Sequence, residues 1–265
     1  MNSSKIYYYK LLKGIDVNQY VQVTSMDMSN TEIIGLSGIF TSDLTNSVFP
    51  MSTLPYALSM GYCTGENITF LTDNFSFNGA NNIFKGSNFI SGANGRLFGE
   101  VSVSDFSGSK FNITSYINGN DPYPYANVNF GVMADCKLND CEFNNIRMNF
   151  PNLLLSLENC SFDFSIFNQC SILATWSNQI VGTTFKNCKF NETSLSFNSD
   201  EFYDFTSSNF YMCELIGFGN KLIENCIFNN CTNVTAQDLI NAAYKFANRS
   251  YTFTFNGVVY TVPAD

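Results

Sequence analysis

The chain has 265 residues, 27 of them Phe and 14 Tyr, with 13% charged residues and a net charge of −9. This composition excludes a disordered polyelectrolyte. The acidic balance, with three arginines (Arg96, Arg147 and Arg249) and no basic stripe, excludes nucleic-acid binding by phosphate neutralisation. The absence of histidine removes Ser-His-Asp and Cys-His catalysis, His-ligated metals and the usual pH switch.

The first residues, Met1-Asn2-Ser3-Ser4-Lys5, lead into no apolar targeting segment and no transmembrane run. The expectation is synthesis in the cytoplasm without a signal peptide and without membrane insertion. Residues 20–24 alternate as a strand, 31–44 carry spaced apolar residues among turn formers, and 48–61, with Pro50 and Pro55, read as a loop and short helix. Residues 1–70 are therefore expected to be an N-terminal attachment or capping module, because open solenoid ends template aggregation. Residues 71–232 are read as the solenoid. In 71–116, Ser104/Phe106 and Ser109/Phe111 keep a step of five, while Phe75, Phe84 and Phe89 keep it loosely. Residues 118–127 are a Pro/Gly/Asn insertion.

From residue 132 the step becomes regular. Cys136 and Leu138 are followed by Cys141 and Phe143, then Ile146 and Met148. Cys160 and Phe162 lead to Ser165 and Phe167, then Cys170 and Ile172. Phe185, Cys188 and Phe190 repeat it, as do Phe205, Phe210 and Cys213, then Cys226 and Phe228. A period of five matches neither the 3.6 of a helix nor the 2 of a simple strand. It matches a coil that turns a corner every five residues, with a small and a large side chain inside and the residue between them outside. Lys137, Glu142 and Lys189 occupy that outward position, and Asn-Asp or Asn-Asn pairs fill the corners. Frame breaks follow Phe150, Trp176, Phe197 and Leu215.

Residues 233–265 form a separate C-terminal unit. Thr235 with Asp238 signals a helix start, and Leu239, Ala242, Ala243 and Phe246 share one helical face over about 235–247. Asn256-Gly257 between two alternating runs signals a two-residue hairpin. Its turn pairs Tyr251 with Val262, Phe253 with Tyr260 and Phe255 with Val258 on one apolar face. That face must pack on its own body or on another chain.

The small-x-large beat resembles the pentapeptide-repeat family. The resemblance implies an all-β chain folded as a right-handed parallel β-helix with four sides, about 20 residues per coil. Over 132–232 that gives about five coils and a rod on the order of 25 Å. The short helix and hairpin would cap or dock it.

Nine cysteines, most on the inward small position, read as buried free thiols rather than disulfides. The pairs 136/141 and 226/231 follow the repeat and carry no CxxC spacing, so no metal site and no cofactor is expected. No catalytic residue is assigned; the carboxylates Asp200, Glu201 and Asp204, and Asp135, Asp140 and Glu142, read as solvated corners. The expected function is that of a non-enzymatic structural or interaction protein whose partners are other protein subunits, with a symmetric self-assembly such as a trimer among them. A rigid spacer of this style resembles a bacteriophage virion component. Two alternatives stay open. Acidic pentapeptide-repeat proteins resemble DNA and bind DNA gyrase, and β-helices bind or cleave glycans through grooves with exposed aromatics such as Trp176 and paired carboxylates.

Overall fold

The computed structural model describes residues 5–8, 22–34, 38–49, 58–72, 77–91, 98–113, 130–149, 157–174, 180–245 and 247–265. The insertion at 118–127, Pro50, Pro55, Phe75, Phe150, Trp176 and Phe246 lie outside them.

Short strands stack in parallel into the faces of a β-solenoid. The first face is a 13-stranded sheet running from Lys5–Tyr8 to the C-terminal hairpin. At a spacing of about 4.8 Å per strand it is roughly 55 Å long. The second is an 8-stranded sheet from Gln22–Thr24 to Ile180–Val181, and the third a 4-stranded sheet from Arg147–Asn149 to Glu214–Ile216. The fourth consists of single bridges and two-residue to three-residue pairs that step from Asp27 to Ala243.

The sheets run across the boundary expected at residue 70. Strands from Lys5–Tyr8 onward pair directly into the sheets of the later coils, so no break in the sheets occurs there. The beat is hidden in this part because Met28, Ile39, Leu44 and Met60 take the buried large positions and the coils vary in length. One coil also exchanges sizes. Ile68 fills a position that elsewhere holds Ser or Cys, and Gly65 stands where a large residue is expected. A Cβ on Gly65 would meet Ile68 Cδ1 at 2.9 Å and the Leu44 backbone at 2.9 Å, so the space is already taken.

The core is a set of side-chain columns. On the first face Phe49, Phe70, Phe89, Phe111, Phe143, Phe167, Phe190, Phe210 and Phe228 stack ring on ring, with centroids 4.6–4.9 Å apart. On the fourth face Phe162, Phe185 and Phe205 stack at 5.1 and 5.3 Å. Offset stacking of this kind adds to the area each ring buries. Outside the first column, Asn144 donates to Asn112, Asn168 to Asn144 and Asn191 to Asn168, at 2.6–2.8 Å.

The small inward residues do more than save space. Ser165 Oγ donates to Leu138 O at 2.7 Å, Cys188 Sγ to Phe162 O at 3.0 Å and Cys226 Sγ to Phe205 O at 2.9 Å. Each reaches a carbonyl of the coil below. The hydroxyls also accept from the coil below, as Ser165 does from Cys141 N at 3.0 Å. A small residue with a donor satisfies backbone at each corner, which explains why Ser, Thr and Cys interchange there.

The corners themselves use the left-handed region. Asn46, Asn67, Asp140, Asn187 and Asn225 have φ between 54 and 56°, and Asn and Asp tolerate it. Val103 at φ 47° does not fit this chemistry, because a β-branched residue is strained there. It is also 54% exposed, so Val103→Asn is expected to raise stability by about 1 kcal/mol, read as an increased denaturation midpoint. An unchanged or lower midpoint would show that the corner is not strained.

Candidate interaction surface at the C-terminal end

Helix α1 (Ala236–Ala242) follows the last coil. Thr235 caps it: its hydroxyl accepts from Asp238 N, and the Asp238 carboxylate accepts from Thr235 N at 2.9 Å. The helix is shorter than the 235–247 expected. After Ala242 the backbone returns to the solenoid, where Ala243 bridges Lys221 and Tyr244 N donates to Lys221 O at 2.9 Å. Leu239 and Ala243 are buried beneath the cap.

The hairpin comes next. Asn256 and Gly257, at φ 48 and 81°, make the turn whose twist suits two adjacent antiparallel strands. Tyr251 pairs with Val262, Phe253 with Tyr260 and Phe255 with Val258. The inner strand, Tyr251–Phe255, adds in parallel to Ile227–Asn229. Phe253 meets Phe228 edge-on at 6.0 Å and stacks on Tyr260 at 5.7 Å. Tyr251 Oη donates to Tyr244 O at 2.7 Å. The six residues of the apolar face are thus divided. Tyr251, Phe253 and Val262 are buried on the rod, Phe255 and Tyr260 are half-buried, and Val258 is 53% exposed.

Among the described residues the outer strand, Val258–Val262, ends the 13-stranded sheet. With a two-residue turn, the residues that pair inward through both backbone groups are 258, 260 and 262. The backbone groups of Val259 and Thr261 therefore face away from the sheet. Val259 is 66% exposed and Thr261 is exposed. No charged residue occurs from Ser250 to Ala264. This free edge was not legible as a site, because the apolar pattern pointed to the opposite set of residues.

A second feature lies under the same cap. Thr183, Tyr203 and Lys221 are consecutive members of one inward column, and Lys221 and Tyr203 are fully buried. The Lys221 ammonium donates to the carbonyls of Asn198 at 3.1 Å, Glu201 at 2.5 Å and Gly219. It lies 4.6 Å from the Tyr203 ring centroid. Burial pushes it down to about 7, against the opposing pull of the Glu201 and Asp200 carboxylates. Burial likewise pushes the Tyr203 hydroxyl up. The 8-stranded face stops at Ile180–Val181, and these two large side chains fill the space beside its end. A lysine on an inward position was the sequence signal.

The carboxylate clusters take structural partners. Asp204 accepts from Thr206 N and Oγ1 at 3.0 and 2.7 Å and pairs with Lys186 at 3.2 Å. Glu142 pairs with Lys110 at 3.3 Å, and Asp135 accepts from Asn159 at 3.3 Å. Among the described residues no group of three or more His, Cys, Asp or Glu side chains is placed to hold a metal ion. Cys136, Cys141 and Cys226 each turn inward and donate to backbone carbonyls. The other core residues named from the beat (Leu138, Phe143, Cys160, Phe162, Phe167, Cys170, Phe185, Cys188, Phe190, Phe205, Phe210, Cys213 and Phe228) are at most 1% exposed. A shallow groove of about 590 Å³ crosses the second face over Gly61, Gly79 and Ala80, with Tyr62 and Glu100 in its lining. Glu100 is its one carboxylate among the described residues. Among those residues no helix is long and apolar enough to cross a membrane.

No protein-family profile and no curated protein sequence matches the chain. Among solved structures it is similar to HetL, a pentapeptide repeat protein involved in heterocyst differentiation regulation in the cyanobacterium Nostoc sp. strain PCC 7120. The identity is 8% and the TM-score 0.26, over 79% of this chain and 88% of HetL. It is also similar to QnrB1, a plasmid-mediated fluoroquinolone resistance protein, at 14% identity and a TM-score of 0.26, over 76% of this chain and 85% of QnrB1. These likenesses are distant and concern the fold alone. The five-residue beat, the corners and the stacked inward columns make the chain, in fold, a β-solenoid.

Proposed function

We propose that this is a non-enzymatic interaction protein, in which a rigid solenoid carries an open strand edge that docks another protein chain, a second copy of itself in the simplest case. The observation that carries this reading is the free edge of Val258–Val262. Proteins blunt exposed edges with lysines, prolines or bulges. Here the strand is regular, uncharged and apolar at its tip, as strand addition requires, and Pro263 stands only after its last residue. The spacer role in a virion is one finer form of this reading, with the rod holding that edge at a fixed distance.

A DNA-like decoy for gyrase needs a continuous acidic face. The outward positions alternate instead: Lys85 pairs with Asp105, Lys110 with Glu142 and Lys186 with Asp204, at 3.2–3.4 Å. That pattern favours the docking reading over the decoy. The glycan reading has the groove at Tyr62 in its favour, but among the described residues that line it Glu100 has no second carboxylate beside it.

Hydrogen exchange tests the docking edge. The Val259 and Thr261 amides are expected to exchange freely in dilute protein and to become protected as concentration rises or a partner is added. Free exchange under all these conditions would remove the edge as a docking site.

A further inference from the structure

Two pairs of cysteines stack on adjacent coils, and their surroundings differ. Cys136 and Cys160 lie side by side through the Lys137–Ser161 bridge, each 1% exposed. Thr183 lies over this pair and accepts from Cys160 N at 3.3 Å. Cys213 and Cys231 lie side by side through the Glu214–Thr232 bridge. Cys213 is buried, and Cys231 is half-buried on the terminal rung. The 4-stranded face ends at Glu214–Ile216, and beyond Cys231 the chain leaves for Thr235 and helix α1.

Neighbouring parallel strands set Cα atoms about 4.8 Å apart, inside the window of roughly 4.4–6.8 Å that a disulfide spans. The two side chains follow one another in a single inward column. Cys231 holds its carbonyl partners loosely, Phe210 O at 3.6 Å and Asn229 O at 3.7 Å, while Cys213 lies 3.2 Å from Phe190 O. The exposed member is thus the more weakly held one.

We propose that Cys231 and Cys213 form a redox-reactive pair that closes into an inter-coil disulfide when it meets an oxidised small-molecule disulfide, fastening the last coil beneath helix α1. The Cys231 thiolate attacks one sulfur of the small disulfide and expels one thiolate, leaving a mixed disulfide. Cys213 then gives up its proton and attacks the Cys231 sulfur, expelling the second thiolate. Two protein thiols are oxidised to one S–S bond, and one small disulfide is reduced to two thiols. The hydrogen bond from Cys213 holds Cys231 below the usual thiol range, which supports Cys231 as the attacking group. The reaction is independent of the docking reading.

The test treats the full chain with oxidised glutathione, followed by peptide mapping under non-reducing conditions and by melting. The expected product carries a Cys213–Cys231 link and no retained glutathione, keeps Cys136 and Cys160 free, and melts roughly 5 °C higher than the reduced protein. Cys231→Ser is expected to fold, because Thr193 already puts a hydroxyl in the same inward column, donating to Phe167 O at 3.2 Å. Its melting should be indifferent to the oxidant. Glutathione retained on Cys231, a link between other cysteines, or an unmodified chain after treatment would overturn the proposal.

Discussion

Titrated upward from neutrality, the protein is expected to unfold cooperatively at about pH 10. Burial pushes the thiols of Cys63, Cys141, Cys160, Cys170, Cys188, Cys213 and Cys226 above their ordinary value, with Cys141 and Cys170 at about 12. For Cys160 and Cys213 the hydrogen bond to a neighbouring thiol is the larger cause. In the unfolded chain the same thiols ionise at about 8.5. Above that pH the folded state binds more protons than the unfolded one, so its stability falls. Each such thiol costs about 1.4 kcal/mol per pH unit. Seven of them together cost on the order of 10 kcal/mol per unit, comparable with the whole stability of a domain.

Lys221 acts in the opposite direction and earlier. Its folded value, about 7, lies below the roughly 10.4 of a free lysine. Stability therefore rises with pH from about 7 upward, until thiol ionisation in the unfolded chain overtakes it. One lysine is outweighed by seven thiols as soon as about an eighth of each is ionised in the unfolded chain, which places the stability maximum at about pH 7.5 to 8. Lys221→Met should lose the rise and keep the alkaline fall. Denaturant midpoints at a series of pH values, in the presence of reductant, measure both limbs. A stability that stays level from pH 8 to pH 11 would contradict the buried-thiol account, on the order of magnitudes used here.

The second large effect is expected in the phenylalanine column. Phe167 stacks between Phe143 and Phe190 at 4.8 Å on each side and touches the rings of Phe162 and Phe185. Truncation to Ala removes those contacts and leaves a cavity, at about 3–5 kcal/mol. Phe167→Asp also puts a carboxylate into a column of stacked, fully buried rings, which costs several kcal/mol more. Soluble expression is expected to disappear. Lys189→Asp, one residue before Phe190 but pointing outward and exposed, is expected to change stability by less than about 0.5 kcal/mol. A soluble, folded Phe167→Asp would mean that the inward register is wrong. A lethal Lys189→Asp would mean that the strand is buried on both sides.

The sequence exposes most of the fold where one residue type repeats. From Cys136 to Phe228 the beat identifies the inward columns because Phe and Leu alternate with Cys, Ser and Thr at a constant step. The hairpin follows from Asn256-Gly257, whose backbone requirement is local. The first coils are obscured because their columns accept Met, Ile and Leu, and because the Gly65–Ile68 exchange inverts the size pattern. The length of α1 depends on a distant strand: Lys221 draws Ala243 and Tyr244 back into pairing, which no helical propensity reports. Lys221 and Tyr203 become neighbours through the parallel pairing of Tyr203–Asp204 with Lys221–Leu222, beside the place where the 8-stranded face has stopped. Sequence spacing does not encode where a face ends. The open edge was hidden for a related reason. Which hairpin strand lies outside is decided by the pairing of Tyr251–Phe255 with Ile227–Asn229, not by the apolar pattern of the hairpin itself.

The most direct test of the docking edge is the solution mass of the full chain beside Thr261→Pro, measured by light scattering over a range of concentrations. Proline at 261 removes an outward-facing donor and leaves the bonds inside the hairpin in place. The full chain is expected to associate into a defined oligomer and the variant to remain a monomer with the same melting temperature. A full chain that stays monomeric throughout, or a variant that assembles equally well, would contradict self-docking through the Val258–Val262 edge.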